Sequence, residues 1–137
     1  MKFLGFIKLY IVRYILFLFV RVFALFVKVD SNVVLFSSFG GKTYSDNPRY
    51  LFEYMRNDER FSDYHFVWAF KNSRTIDGAR SVKFNSLQYY YWLSKAKYWI
   101  FNSKMAPYYY KKTSQVYVQT WHGTPLKRLG HDIEDSG

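Results

Sequence analysis

Apolar positions in this chain form one long opening run followed by a series of short blocks. Residues 3–29 are mostly apolar and contain no acidic residue, although lysines and arginines interrupt them. Short apolar or alternating blocks follow at residues 33–36, 64–70, 80–84, 98–101 and 116–120. Blocks of this length are typical of strands, and continuous apolar ones are typical of strands buried on both faces. The pattern therefore predicts a helical opening segment followed by a set of short strands.

Two segments between the strand blocks carry signals for the start of a helix. Asn47 followed by Pro48 predicts a helix that begins at Pro48 and runs to Arg56. Ser86 predicts the cap of another helix, which runs to Lys95. Strands that alternate with helices indicate an α/β domain with a mostly parallel, Rossmann-like sheet.

The opening run has the features of a helix that lies on a membrane. On a helix that turns about 100° per residue, Lys2, Arg13, Arg21 and Lys28 fall within roughly a third of the circumference, opposite an apolar face. One cationic stripe opposite apolar residues is typical of a helix in the headgroup plane of an anionic leaflet. A tilted transmembrane anchor is the alternative, although a central arginine costs about 2.5–3.5 kcal/mol there. A helix buried in a soluble core would have to hide all four charges.

We therefore predict two parts of the chain with different roles. Residues 1–30 form a membrane-associated amphipathic segment, and residues 31–137 form the α/β domain. The predicted location is the cytoplasmic face of the cell membrane, with the chain bound peripherally or anchored by its N-terminal segment.

The charge balance of the chain favours anionic partners. The 137 residues carry 20 Lys+Arg against 10 Asp+Glu, which gives a formal net charge of +10. Such an excess suits acidic lipid, nucleotide phosphates, phosphate-rich polymers or nucleic acid. Zinc-finger spacing, an RRM-type aromatic signature and basic-zipper heptads are all missing from the sequence, so nucleic acid is not an expected partner.

The residue types present also exclude several kinds of chemistry. The sequence has no cysteine, which excludes disulfides, thiolate catalysis and cysteine-ligated metals. Asp132, Glu134 and Asp135 lie close to the end of the chain, where we expect solvated side chains. No metal site is predicted.

Candidate binding residues follow two of the predicted strands. Gly40, Gly41 and Lys42 lie in the loop after the first strand, where adjacent glycines and a lysine can present N–H groups and a cation to a phosphate. A flexible βα turn explains the same composition equally well. Asn102 and Ser103 follow the fourth strand. Because ligands bind outside the carboxyl ends of parallel strands, we predict all five as substrate-binding residues.

His122 is the candidate catalytic residue. It follows the last predicted strand and precedes Gly123, which lets a ligand approach closely, while Lys127 and Arg128 lie just beyond. An imidazole titrates near neutral pH and can remove a proton from a hydroxyl that attacks phosphorus. From these residues alone, a hydrogen-bonded structural histidine remains the alternative.

Two segments resemble a known family. The run Gln119-Thr120-Trp121-His122-Gly123-Thr124-Pro125-Leu126-Lys127-Arg128-Leu129-Gly130 resembles the signature of the CDP-glycerol glycerophosphotransferases, the teichoic-acid primases and polymerases of Gram-positive bacteria. Residues 37–50 resemble the early loop of the same family. The two matches come in the family's order and, with the connecting strands, cover residues 33–133; the later one is the more specific.

The resemblance implies both an activity and a role for each matched residue. It implies transfer of glycerol phosphate from CDP-glycerol to the hydroxyl of a lipid-linked teichoic-acid precursor, with release of CMP and without a cofactor. His122 would be the general base, Gly123 and Thr124 would shape the turn, and Lys127 and Arg128 would face phosphate.

The resemblance further implies the acceptor-side, N-terminal half of a GT-B glycosyltransferase-like fold. The family's second domain largely holds CDP-glycerol, and its histidine- and serine-containing motifs have no match in this sequence. We therefore expect an incomplete enzyme that is inactive or nearly inactive alone. A non-catalytic, basic module that binds the membrane peripherally is the alternative function.

Overall fold

The computed structural model describes residues 2–106 and 109–121. Along the chain the elements are α1 (Lys2–Phe26), β1 (Asp30–Ser37), α2 (Asp46–Arg56), β2 (His65–Phe70), β3 (Arg80–Lys83), α3 (Leu87–Lys95), β4 (Ala96–Phe101) and β5 (Val116–Gln119). Short 3-10 turns at Phe39–Gly41 and Glu59–Phe61 flank α2.

The strands form one parallel sheet in the order β3-β2-β1-β4-β5. Central β1 pairs with β2 on one side, where Val34 lies opposite Phe66, and with β4 on the other, where Val34 lies opposite Tyr98. The chain therefore winds outwards from β1 in both directions. In such a sheet the crevice at the carboxyl ends of the two strands where the winding reverses is the usual place for a ligand.

Both faces of the sheet are covered, which explains the continuous apolar blocks. Val33 and Leu35 of β1 point to the face that carries α1 and α3, and Val34 and Phe36 point to the face that carries α2. Each face also buries a tryptophan completely, Trp99 on the first and Trp68 on the second. The prediction of a parallel α/β sheet is confirmed.

The ends of the elements differ from the predicted ones. β1 begins at Asp30 and β4 at Ala96, because these two residues pair with each other through the main chain ahead of the apolar blocks. The cap at Ser86 is confirmed: its Oγ accepts from the Tyr89 N–H at 3.2 Å. The cap at Asn47 was wrong, since α2 begins at Asp46, after Ser45.

Helix α1 packs on the sheet with only part of its surface. Val20 and Ala24 are buried, and the guanidinium of Arg21 lies 4.8 Å from the ring centroid of Tyr110. Of the predicted cationic stripe, Arg21 and Lys28 are exposed, and the side chains of Lys2 and Arg13 lie outside the described set. The exposed apolar residues of α1 are Ile11, Val12, Tyr14, Ile15, Leu18, Phe19, Val22, Leu25 and Phe26. Within the described residues, no helix combines the length and the apolar character needed to cross a bilayer.

One buried amide holds the amino end of the sheet together. Gln115 is 2% exposed, and its Nε2 donates to the carbonyl oxygens of Leu93 at 2.8 Å and Ala96 at 2.7 Å, while its Oε1 accepts from the Lys112 N–H at 3.0 Å. The ammonium of Lys112 donates to the carbonyl of Val27, just after α1. Gln115 and Lys112 thus join the last turn of α3 and the starts of β4 and β5 to the end of α1.

Candidate functional site

The candidate site lies at the carboxyl ends of β1 and β4, where the winding of the sheet reverses. Two side chains that follow β4 bind the main chain that follows β1. Asn102 Oδ1 accepts from the Phe39 N–H at 2.7 Å, and Ser103 Oγ accepts from the Gly40 N–H at 2.9 Å. The structure therefore brings together predicted residues that lie 63 positions apart in the sequence.

The first turn of α2 joins the same network. Asn102 Nδ2 donates to Asp46 Oδ2 at 2.7 Å, so the buried amide of Asn102 uses both its ends. Asn47 Nδ2 donates to the carbonyl oxygens of Thr120 at 3.2 Å and Trp121 at 3.4 Å. The loop after β1, the loop after β4 and the segment after β5 are consequently held at one edge of the sheet.

Backbone strain is concentrated at this edge. Phe39, Asp46 and Trp121 have positive φ angles of 48°, 61° and 59°. A left-handed conformation costs a non-glycine residue roughly 1–2 kcal/mol, and such residues cluster at functional sites, where the surrounding contacts enforce them. Here Asn102 binds the Phe39 N–H and the Asp46 carboxylate, and Asn47 donates to the Trp121 carbonyl, so a side chain holds each strained residue.

Gly41 is the glycine that this loop requires. Its φ is +82°, and an added Cβ would lie 3.1 Å from both the backbone nitrogen of Lys71 and the side chain of Phe84. Its carbonyl accepts from the Lys71 N–H at 2.7 Å, which ties the loop to the end of β2. Gly40 also has a positive φ, but an added Cβ there would meet nothing within 4 Å.

The predicted phosphate cradle of backbone N–H groups is not formed by these glycines in the structure. The Gly40 N–H is donated to Ser103 and the Gly41 N–H to the carbonyl of Ser38 at 2.9 Å. Lys42 is exposed. The Gly40 N–H joins the loop to the residue after β4 and the Gly41 N–H closes a turn within the loop. The assignment of Gly40, Gly41 and Lys42 as substrate-binding residues stays a prediction.

A cavity of about 420 Å³ opens beside the network, on the face that carries α3. Apolar side chains form most of its wall, and Lys71 and Lys104 stand exposed beside it. Ser37 and Ser103 also line it. The volume lies in the range of small-molecule sites.

The outer face of α2 carries a charged cluster close to this edge. Arg49 Nε donates to Glu53 Oε1 at 2.8 Å, and that hydrogen bond lowers the pKa of the Glu53 carboxyl. Burial raises the pKa of the Tyr44 hydroxyl, and the hydrogen bond it donates to Glu53 raises it further. Tyr44 is therefore a neutral hydrogen-bond donor at physiological pH and is not poised to act as a base.

Several predicted site residues lie outside the described residues, namely His122, Gly123, Thr124, Lys127 and Arg128. Their roles stay predictions. Asp46 and Asn47 belong to the network but were not selected from the sequence, because their partners lie far away along the chain. Within the described ranges, no group of three or more histidine, cysteine, aspartate or glutamate side chains could hold a metal ion.

Comparison with known proteins identifies relatives of this chain. The family described as CDP-Glycerol:Poly(glycerophosphate) glycerophosphotransferase matches residues 18–137. The teichoic acid poly(glycerol phosphate) polymerase of Staphylococcus epidermidis is 45% identical over 109 residues, which are 77% of this chain and 15% of that protein. The teichoic acid glycerol-phosphate transferase of Staphylococcus aureus is 36% identical over 110 residues, or 77% of this chain and 28% of the relative.

Solved structures show the same fold. The wall teichoic acid polymerase TagF superposes with a TM-score of 0.71 at 45% identity, over 77% of this chain and 26% of that one. A TagF variant soaked with CDPG superposes equally well, with a TM-score of 0.71 at 44% identity. The chain thus spans between 15% and 28% of the length of these relatives.

Proposed function

Because the chain belongs to the CDP-glycerol:poly(glycerophosphate) glycerophosphotransferase family, we propose that it forms part of an enzyme of teichoic-acid synthesis. In this proposal the enzyme transfers glycerol phosphate from CDP-glycerol to a hydroxyl of a membrane-bound acceptor and releases CMP. The observation that carries the proposal is the network at the carboxyl edge of the sheet, which joins both family-like segments through Asn47 and Trp121.

The chemistry proposed for His122 requires no covalent intermediate. The acceptor oxygen attacks the phosphorus that carries glycerol, and the bond from that phosphorus to the bridging oxygen breaks. CMP leaves with the electron pair, and the acceptor proton passes to His122. Positioning and charge neutralisation dominate such transfers, which suits Lys127 and Arg128 beside a single base. His122 follows directly on Trp121, whose carbonyl accepts from Asn47.

The architecture proposed for the complete enzyme is a two-domain GT-B fold. The described sheet supplies the acceptor-side domain, and a second domain supplies most contacts to CDP-glycerol. The order of the parallel sheet and the share of the TagF chains that this chain spans support the proposal. We expect the 137 residues alone to be inactive or nearly so.

We also propose that α1 places the enzyme on an anionic membrane surface, at its cytoplasmic face. Leu25 is 74% exposed and Phe26 is 84% exposed at the end of the helix. Each apolar Å² removed from water contributes about 25 cal/mol, and basic residues add attraction to acidic lipid. The same observation favours the alternative function, a peripheral membrane-binding module without activity.

The experiment for the transferase compares two histidine variants. The chain is joined to the downstream part of the Staphylococcus epidermidis polymerase, which is 45% identical over the matched region, and CMP release from CDP-glycerol is measured on vesicles that carry a glycerol-phosphate-ended lipid. His122→Ala should reduce turnover by about 10²–10⁴-fold, as for loss of a general base. His65→Ala is the matched control, because His65 is exposed at the opposite end of the sheet.

Turnover that survives His122→Ala in a folded protein would contradict the catalytic role. The absence of CMP release from every chimera, with vesicle binding intact, would favour the membrane module. To test membrane binding by α1, the double variant Leu25→Asp, Phe26→Asp should no longer sediment with acidic vesicles. Leu87→Asp should leave the sedimentation unchanged, since Leu87 is also highly exposed, at 69%, but lies on α3.

A further inference from the structure

We propose that the cavity on the α3 face of the carboxyl edge is a subsite for a glycerol phosphate unit of the acceptor. The inference rests on the proposed function and goes beyond it, because it assigns the acceptor to a particular set of side chains. The residues that carry it are Ser37, Lys71, Ser103 and Lys104, all of which line the cavity.

The first observation is an unsatisfied hydroxyl. Ser37 is 1% exposed, and its Oγ has no hydrogen-bond partner among the described residues. Ser37 is the last residue of β1 and follows Val33 and Leu35 on the face of the sheet that carries α3. A buried hydroxyl without a partner is unfavourable and calls for an explanation, and here a ligand in the cavity would supply the partner.

The second observation is the distribution of polarity around the cavity. Phe39, Phe84, Phe101, Met105 and Tyr109 supply apolar wall, whereas Lys71 and Lys104 are exposed beside it. Acidic side chains are absent from the described lining. A ligand that matches this arrangement has a small carbon skeleton, a hydroxyl that reaches Ser37, and a phosphate that meets the lysines.

The third observation separates a polyol phosphate from a nucleotide. A nucleobase is recognised by several donors and acceptors along its edge, whereas the polar side chains of the described lining are hydroxyls, of Ser37, Ser103, Tyr89 and Tyr109, and the ammonium groups of Lys71 and Lys104. The Gly40 N–H, which also borders the cavity, is already donated to Ser103. Hydroxyl and ammonium groups suit glycerol and phosphate, whereas the described lining has no amide or carboxylate side chain to pair with a base edge.

Position agrees with this assignment. Ser37 lies opposite Phe101 in the β1–β4 register, so the cavity floor is at the point where the winding of the sheet reverses. Ser103 both lines the cavity and belongs to the hydrogen-bonded network, in which its Oγ accepts from the Gly40 N–H. An acceptor held here would present its terminal hydroxyl toward the segment that follows β5, where we propose that His122 acts.

The test is a titration of the isotope-labelled chain in neutral detergent micelles, followed by NMR. The probe is glycerophosphoglycerol, a phosphodiester of two glycerols, and CMP is titrated in parallel. We expect the amide signals of Phe39, Gly40 and Ser103 to shift with glycerophosphoglycerol and not with CMP. Ser37→Ala should weaken binding roughly 3- to 10-fold, as expected for one lost hydrogen bond.

Matched lysine variants separate a specific contact from net charge. Lys71→Ala should weaken binding on the order of tenfold, because a charge-assisted hydrogen bond is lost. Lys83→Ala removes the same charge from the next strand end, but Lys83 lines a depression that does not include Ser37, so binding should stay within about twofold.

Three results would overturn the inference: no shift with glycerophosphoglycerol, equal losses for Lys71→Ala and Lys83→Ala, or a tighter response to CMP. Ser37→Ala should keep or raise the unfolding midpoint, so a lower affinity in that variant is not a loss of folding. Failure of the transferase proposal alone gives a different result from failure of this inference. If only the transferase proposal fails, glycerophosphoglycerol still binds this chain, while the chimera with the downstream polymerase segment releases no CMP.

Discussion

The two ends of the sheet are each held by one buried amide side chain, but the two amides bind different kinds of group. Gln115, at the amino end, binds main-chain atoms of Leu93, Ala96 and Lys112, all within 22 positions along the chain. Asn102, at the carboxyl end, binds the Phe39 N–H and the Asp46 carboxylate, 63 and 56 positions away.

The difference separates a structural end from a candidate functional end. Main-chain N–H and C=O groups are present whatever the side chains are, so the hydrogen bonds of Gln115 do not depend on the identity of the neighbouring residues. Asn102 depends on the side chain of Asp46 and on a strained loop, so several residues must be correct together. Strain and side-chain networks of this kind are expected where a site is held in one geometry.

The largest effect expected from this comparison is loss of Gln115. Gln115→Ala leaves two buried carbonyl oxygens without their donor and opens a cavity, so the free energy of unfolding should fall by about 3 kcal/mol. Urea unfolding followed by circular dichroism measures the loss. Gln88→Ala on the exposed face of α3 is the matched control and should change stability by less than about 0.5 kcal/mol. Equal stabilities for the two variants would show that Gln115 does not hold the amino end.

Loss of Asn102 should cost less stability but change the site more. Asn102→Ala removes two hydrogen bonds, one of them to a charged group, so we expect about 2 kcal/mol. The distinguishing measurement is hydrogen exchange: the Phe39 amide should exchange faster in Asn102→Ala than in Gln115→Ala at matched global stability. Asn72→Ala, in an exposed loop, should affect neither quantity. An unchanged exchange rate of the Phe39 amide in Asn102→Ala would show that Asn102 does not hold this loop.

The smallest effect concerns Lys112 and pH. Burial lowers the pKa of the Lys112 ammonium, so the charged form is less favourable in the folded chain than in the unfolded chain. The charged form therefore destabilises the folded chain below the lowered folded pKa, and this loss of stability disappears as pH rises to the ordinary lysine pKa of about 10.4. The stability of the wild-type chain relative to Lys112→Met should therefore increase through that alkaline window. A difference that stays constant with pH, in paired urea titrations, would contradict the interpretation that partial burial disfavours the charged form of Lys112.

The sequence predicts the sheet well because each strand is a short apolar block. Burial on both faces makes those blocks continuous, as at residues 33–36 and 98–101, and the alternation with helices indicates parallel pairing. The strand ends at Asp30 and Ala96 are less predictable, since their pairing is through main-chain atoms and leaves no apolar pattern.

The candidate site is predicted only in part, for a related reason. Asn102 and Ser103 can be selected because they directly follow a strand, and strand ends of a parallel sheet meet at one edge. Asn47 cannot be interpreted correctly from local sequence, because its preference for helix caps hides a long-range contact to Trp121. Gly41 is similar: its need for glycine comes from Lys71 and Phe84, which are distant in sequence.

The central position of β1 also has a consequence for synthesis on the ribosome. β2 can pair with β1, and β3 with β2, as soon as residue 83 has emerged, but the other side of β1 waits for β4, which ends at Phe101. During that interval the nascent half-sheet exposes an unpaired, apolar strand edge, which is a template for aggregation. Chaperone binding should therefore peak while α3 is emerging from the ribosome and fall once β4 has docked.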